Sequence, residues 1–252
     1  MYMRLFHLKI NPDFLPMLQP FHDKVVIPEL QQIEGCLFAG LIQSSKSDNE
    51  CVSITLWKTR EQAEAYERSI AFHSLMEKVK PFLSESAEWK VQLSDNLELR
   101  YEPVREEPVL KEFKVVTQSG ITPDENEIRT RMYVRMVSVK LKEGKLEAFR
   151  KKYVKEIVPT LQSTKGCRYI YLSESIQEKN EVISITIWDN KELADEYERS
   201  GSFARLIAKI EDTISDFYQW KLALEKGVGR RVKTSEDIKI DSYGLVSAKR
   251  FS

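Results

Sequence analysis

The pattern of apolar and polar positions changes period several times over the first hundred residues. Tyr2 to Ile10 is dense in apolar residues and predicts a strand. Asn11-Pro12 then supplies a helix N-cap followed by proline at the first helical position. Leu15, Leu18, His22, Val26 and Leu30 follow at spacings of three and four, which mark one buried helical stripe. Pro28 falls late in this helix and is expected to bend or end it, with Gly35 as the terminator. Cys36 to Gln43 predicts a second strand, and Ser44 to Glu50 a polar turn. Along the third strand Val52, Ile54 and Leu56 alternate with Ser53, Thr55 and Trp57. The first set is an aliphatic face suited to packing against helices. The second is a mixed face suited to the wall of a partly hydrated cavity. Parity on the first strand places Phe6 opposite His7, with His7 on the helix side. Thr59-Arg-Glu-Gln62 has capping-box spacing and opens a helix through Tyr66. Ser69 caps a further helix with Phe72, Leu75 and Val79, and Trp89 begins a fourth strand.

The same pattern is then written a second time. Met1-Tyr-Met-Arg4 returns as Met132-Tyr-Val-Arg135, and Ser53-Ile-Thr-Leu-Trp57 as Ser184-Ile-Thr-Ile-Trp188. Tyr66-Glu-Arg-Ser69 returns as Tyr197-Glu-Arg-Ser200, and Trp89-Lys90 as Trp220-Lys221. Every pair is offset by 131 positions, without a gap from Met1 to about Leu93. The stripe recurs as Leu146, Phe149, Tyr153, Ile157 and Leu161, with Pro159 and Gly166 behind it. Ser200 stands where a second N-cap is expected, before Phe203, Leu206 and Ile210. A period this long means duplicated domains, not a solenoid. The expected boundaries are residues 1–103 for the first repeat and 131–252 for the second with a C-terminal extension. Residues 104–130 form a polar, Pro/Gly-punctuated linker in which Val109 to Val116 reads as an edge strand. Each repeat reads βαββααβ, so the predicted class is α+β with two ferredoxin-like repeats. A sheet with one apolar and one semi-polar face calls for a second sheet over it.

Composition narrows the function. The 252 residues carry 39 Lys+Arg and 39 Asp+Glu, so no net field recruits nucleic acid or an acidic membrane. Cys36, Cys51 and Cys167 are too scattered for a disulfide framework or a zinc site. Without a signal-peptide core at the N-terminus or a membrane-length apolar run, the expected compartment is the cytoplasm. No P-loop, GxGxxG, GxSxG or HExxH is present.

The order strand, helix, Glu34-Gly35-Cys36, then Val52-Ser-Ile-Thr-Leu-Trp57-Lys, helix and Ser69…Phe72 resembles the antibiotic-biosynthesis monooxygenase-like domains of the dimeric α+β barrel superfamily. The resemblance covers most of both repeats. It implies that the two ferredoxin-like repeats close into an intramolecular pseudo-dimeric α+β barrel, one chain supplying both halves, with a small hydrophobic or aromatic molecule as partner. The leading functional expectation is a cofactor-independent monooxygenase acting on a small aromatic or polyketide-like substrate. The alternatives are a non-catalytic ligand-binding or stress-response barrel, and an atypical heme-binding or heme-degrading protein. In the family the tryptophan of the third strand lies against the ligand, which makes Trp57 and Trp188 pocket candidates. Ser53, Thr55, Ser184 and Thr186 share their face. Where the heme-degrading branch carries an asparagine and a histidine ligand, this chain has Phe6 and Val137, and Met76 and Ile207. No cofactor or metal is therefore expected, and Phe6 and Val137 join the pocket list.

No base stands out. His7, His22 and His73 have Ser138, Tyr153 and Ala204 as twins. His22 on the buried stripe reads as a satisfied core histidine, and His73 at a helix start is the weak catalytic candidate. In Tyr66-Glu-Arg-Ser69, tyrosine packing, two solvated charges and a cap account for the string. Cys36 and Cys167 read as small buried hydrophobes. The expected assembly is a monomeric pseudo-dimer, with a further homo-oligomer as the alternative.

Overall fold

A computed structural model describes residues 1–93, 99–105, 107–120, 132–215 and 238–251. The chain forms two compact units, Met1–Lys111 with Val246–Ser252, and Glu112–Leu245. The tail after Leu245 thus goes with the first unit, and does not extend the second.

In the first unit β1 (Tyr2–Lys9), β2 (Cys36–Ser44) and β3 (Glu50–Trp57) pair antiparallel in the order β1-β3-β2. Phe6 sits opposite Ser53, and Arg4 opposite Thr55. Near the chain end Phe251 N–H donates to Leu37 O at 2.9 Å. The helical run is α1 (Leu15–Phe21), a π turn (His22–Val26) and α2 (Ile27–Gln31), followed after β3 by α3 (Arg60–Glu67) and α4 (Ile70–Val79). Thr59 accepts from Gln62 N–H and Ser69 from Phe72 N–H, which fixes both helix starts. The strand containing Trp89, β4 (Glu85–Leu93), does not join this sheet. After an isolated bridge between Ile10 and Leu83 the chain diverges, and β4 pairs with β5 (Leu99–Arg105).

The second unit repeats the plan with more strands. The segment expected to be a linker supplies β6 (Val109–Gly120). With β7 (Tyr133–Lys140), β8 (Cys167–Ser175), β9 (Glu181–Trp188) and β10 (Ile238–Arg250) the order is β10-β7-β9-β8-β6. Residues 238–244 of β10 run antiparallel to β7. The helices are α5 (Leu146–Lys152), a π turn (Tyr153–Ile157), α6 (Val158–Gln162), α7 (Lys191–Arg199) and α8 (Ser202–Ile210). Gly201, at φ 73°, occupies the N-cap position of α8 expected for Ser200, whose hydroxyl instead accepts from Ser202 N–H. Trp220 lies outside the described residues. Two ferredoxin-like α+β repeats are thus present.

Two expectations are corrected. The helices pack on the Trp face, not the aliphatic face. Trp57 shares one core with Tyr2, Leu30, Ala63, Tyr66 and Leu75, and Trp188 one with Phe149, Tyr153, Leu161, Ala194 and Tyr197. The aliphatic face of Met3, Leu5, Ile54 and Leu56 is buried as well. With both faces of the sheet buried, polarity does not mark the helix side. The large indole does, because it has the most area to remove from water. His7 consequently lies on the face away from the helices, and Phe6 on the helix side.

The second correction concerns the prolines. Pro28 and Pro159 do not end their helices. Each follows a π turn, whose wider backbone keeps the ring off the preceding carbonyls and leaves no hydrogen bond for the missing N–H to make.

Gly35 and Gly166 close these helices at φ 84°. A Cβ on Gly35 would sit 2.1 Å from Gln62 Oε1, and on Gly166 2.5 Å from Leu193 Cδ1. Gly35→Ala combines left-handed strain with this clash. It is expected to lower the equilibrium unfolding free energy by about 1–2 kcal/mol, read from urea denaturation. Unchanged stability would refute the conformational requirement.

Candidate functional site

Because β1 and β3 alternate in register, Arg4, Phe6 and Leu8 leave the first sheet beside Ser53, Thr55 and Trp57, all toward the helices. Between them and the helices lies a cavity of about 80 Å³. Its helical wall comes from His22 and Leu30 on the first helical run, Tyr66 on α3, and Phe72 and Met76 on α4. Four rings run in series along it. Phe6 and Phe72 are 6.1 Å apart, Phe72 and Tyr66 5.5 Å, and Tyr66 and Trp57 5.3 Å. The wall is almost wholly apolar. Phe6, Phe72, Met76 and Val79 are half-buried and form its more accessible part.

Polar groups in this wall fall into two classes. Trp57 Nε1–H donates to Thr55 Oγ1 at 2.9 Å, so both are satisfied on their own strand. Arg4 is buried, donates to Ala63 O at 2.8 Å and pairs with Glu67 at 2.6 Å. Glu67, expected to be merely solvated, therefore anchors α3 to β1, and Glu198 repeats this with Arg135 at 3.0 Å. The signal was present in the sequence as an arginine inside an apolar strand, recurring at the same offset as the glutamate.

His22 and Tyr66 behave differently. Both are buried, and among the described residues the Tyr66 hydroxyl and His22 Nε2 have no hydrogen-bond partner. Burial raises the Tyr66 pKa. On the other side of its ring, His22 Nδ1 is 3.1 Å from Ser247 Oγ, and Ser247 donates in turn to the exposed Asp23 carboxylate. A serine whose proton goes to a carboxylate offers its lone pairs to the ring, so the His22 proton sits on Nδ1 and Nε2 carries a lone pair. Burial lowers the His22 pKa to about 4, against the opposing pull of Asp23, so the ring is neutral at pH 7.

The second repeat has a smaller cavity, about 50 Å³, lined by Arg135, Val137, Ser184 and Thr186 from the sheet and by Tyr153 and Phe203 from the helices. Tyr153, the twin of His22, hydrogen-bonds Ser184 at 2.6 Å. Trp188 is fully buried, bonds Thr186 at 2.9 Å, and is not part of this wall. His73 is exposed and bonds the Ser69 carbonyl at 2.8 Å, away from the first cavity wall. Burial pushes Cys36, Cys51 and Cys167 up to about 12, so none is a thiolate at neutral pH.

Among the described residues no cluster of three or more His, Cys, Asp or Glu is placed to hold a metal. Heme does not fit either. An apolar cavity of roughly 150 Å³ accepts one benzene, whereas the larger of these two is about 80 Å³. No described helix is long and apolar enough to cross a membrane.

The sequence model of the antibiotic biosynthesis monooxygenase family matches residues 1–78 and again 132–209. Three solved structures share the fold along nearly the whole chain. A candidate monooxygenase from Lactobacillus acidophilus NCFM aligns at 12% identity and TM-score 0.64, covering 99% of this chain and 95% of its own. One from Fusobacterium nucleatum subsp. nucleatum aligns at 9% and 0.66, covering 99% and 94%. An anthrone oxidase-like protein aligns at 11% and 0.61, covering 99% and 92%. No curated protein matches the sequence.

Folded His22 takes a proton only near pH 4, while an unfolded histidine takes one near 6.5. Protonation therefore favours the unfolded chain. The stability that the neutral ring permits is complete above pH 6.5 and falls as pH drops toward 4, by about 2–3 kcal/mol. In urea titrations at pH 7 and pH 4.5, His22→Phe should lose less stability on acidification than wild type by about this amount. Parallel losses would refute the neutral buried ring.

Proposed function

This chain belongs to the antibiotic biosynthesis monooxygenase family, and from that premise we propose that it is a cofactor-independent monooxygenase whose substrate occupies the first-repeat cavity. The supporting observation is the cavity itself, an apolar, ring-lined space between the sheet and the helices. The ring walls suit an apolar group, and since about 80 Å³ is less than the roughly 150 Å³ that holds one benzene, an aromatic substrate would enter only in part, from the accessible side at Phe6 and Phe72.

The chemistry in reach is oxygenation of a carbon acid. Removal of one proton from an activated CH₂ leaves a carbanion that reduces dioxygen and bonds to it. The resulting hydroperoxide loses water to give a carbonyl. The balance is R₂CH₂ + O₂ → R₂C=O + H₂O, and the substrate supplies all four electrons. The cavity contributes by excluding bulk water and holding the acidic carbon in one orientation.

The second repeat supports a different reading for its own cavity, that of a non-catalytic or filled copy. Its tyrosine and serine satisfy one another and leave no base facing the space.

An oxygen electrode tests the proposal with 2-indanone and single-ring phenols. The expected result is one dioxygen consumed per carbonyl formed, and a fall of roughly 10–100-fold in kcat/KM for Ser53→Leu, which narrows the first cavity. No uptake above buffer with either class would overturn the oxygenase reading for them.

A further inference from the structure

The oxygenase reading concerns the first repeat and gives the second cavity no task. The two cavities differ most in how their arginines are used. Each repeat buries one on its first strand, Arg4 and its twin Arg135. Arg4 donates from Nη1 to the Ala63 carbonyl at 2.8 Å and from Nη2 to Glu67 at 2.6 Å. Arg135 is 3% exposed, and among the described residues its one hydrogen bond runs from Nη2 to Glu198 at 3.0 Å. Its guanidinium lies 5.5 Å from the centroid of the Tyr197 ring and 5.1 Å from that of Phe203. Nε and Nη1 therefore meet rings and space, not acceptors.

The wall around that space adds further donors. Arg135, Tyr197 and Thr186 all line the cavity of about 50 Å³. Tyr197 is buried, and its hydroxyl has no hydrogen-bond partner among the described residues. Burial raises its pKa against the pull of Arg135, so at neutral pH it keeps a proton to donate. Thr186 Oγ1 accepts from Trp188 Nε1–H and retains its own hydroxyl proton. Sealed, unpartnered polar atoms among the described residues include Tyr66 Oη and His22 Nε2 but none on Arg135 or Tyr197, so the free donors of the second repeat keep open surface. No Asp or Glu lines the space. Glu198 is exposed, so water screens its charge.

We propose that the second-repeat cavity binds one small monovalent anion, of the size of chloride or nitrate, held by Arg135, Tyr197 and Thr186. A buried cation with unmet donors is costly, and charge-assisted hydrogen bonds to an anion remove that cost. A water molecule would fill the same place but leave the charge uncompensated on that side. The rest of the wall, including Val137, Phe149 and Leu206, is apolar, and a low local dielectric strengthens the attraction. Size sets the class of ligand. About 50 Å³ exceeds the roughly 10–15 Å³ that one water needs and falls well below the roughly 150 Å³ that holds one benzene. One guanidinium already paired with Glu198 offsets a single negative charge, not a dianion. The first repeat has no such site, because Arg4 is spent on Ala63 and Glu67. The site involves no reaction step and stands apart from the oxygenase reading.

Chloride and bromide probe the site directly. The full chain is kept in gluconate buffer at constant ionic strength, and binding is read from broadening of the chloride-35 NMR line. Wild type is expected to broaden the line, and nitrate to reverse the broadening by competition. Tyr197→Phe keeps the ring and removes one donor, so it should weaken chloride binding by about 10-fold. Val137→Leu keeps every donor and fills the space, so it should abolish binding. Crystals grown in bromide should show anomalous density in the cavity within hydrogen-bonding distance of Arg135. Water alone at that position, no broadening by wild type, or broadening that neither variant reduces would overturn the proposal.

Discussion

The indole that ends the third strand of each repeat decides which side of the sheet carries the helices. Trp57 and Trp188 are both fully buried, and each spends its N–H on the threonine two residues before it. That bond removes the one polar cost of burying the ring, so the whole indole serves as helix-packing surface. A tyrosine from the following helix stacks on each, at 5.3 Å and 5.1 Å. The buried arginines on the first strands then pin the same helices through their C-terminal glutamates. Position of sheet, helix and cavity all follow from these contacts.

Against that shared frame, one position separates the two repeats. Residue 22 and its twin 153 open identical π turns and face the same part of the sheet. Tyrosine at 153 is long enough to reach Ser184, and the bond closes off the polar end of its own cavity. Histidine at 22 leaves Ser53 on the cavity wall and turns to Ser247. One substitution between copies thus converts a satisfied interior contact into a neutral imidazole with a free lone pair. Duplication permits such divergence, because each copy keeps the shared frame while this one position changes.

Much of this was legible in the residues. The 131-residue offset, the caps at Thr59 and Ser69, and the closing glycines each rest on local rules that burial does not alter. What could not be read had non-local causes. The choice of helix side depended on both sheet faces being buried, which alternation along a single strand cannot reveal. Helix continuity past Pro28 and Pro159 depended on a π turn, for which a helical pattern carries no distinct signature. Ser53, Thr55 and Phe6 fell beside the first cavity, and Ser184, Thr186 and Val137 beside the second, because strand parity is local. The partners of His22 lay at the far end of the chain, and a stripe of apolar residues around it made it look like core.

The energetics of the first cavity argue against a purely structural role for it. A partly open apolar cavity of about 80 Å³ forgoes burial and dispersion contacts that a filled one would supply. A neutral buried histidine with one bare nitrogen adds a further desolvation cost. Both costs have a cheap remedy within the same molecule, the tyrosine used at position 153, which fills space and satisfies a serine at once. A scaffold optimised only to fold would carry that solution twice. Buried polar groups left unpaired beside an apolar cavity are where local rules of stability give way to other demands, and among the described residues His22 and Tyr66 in the first repeat are such groups.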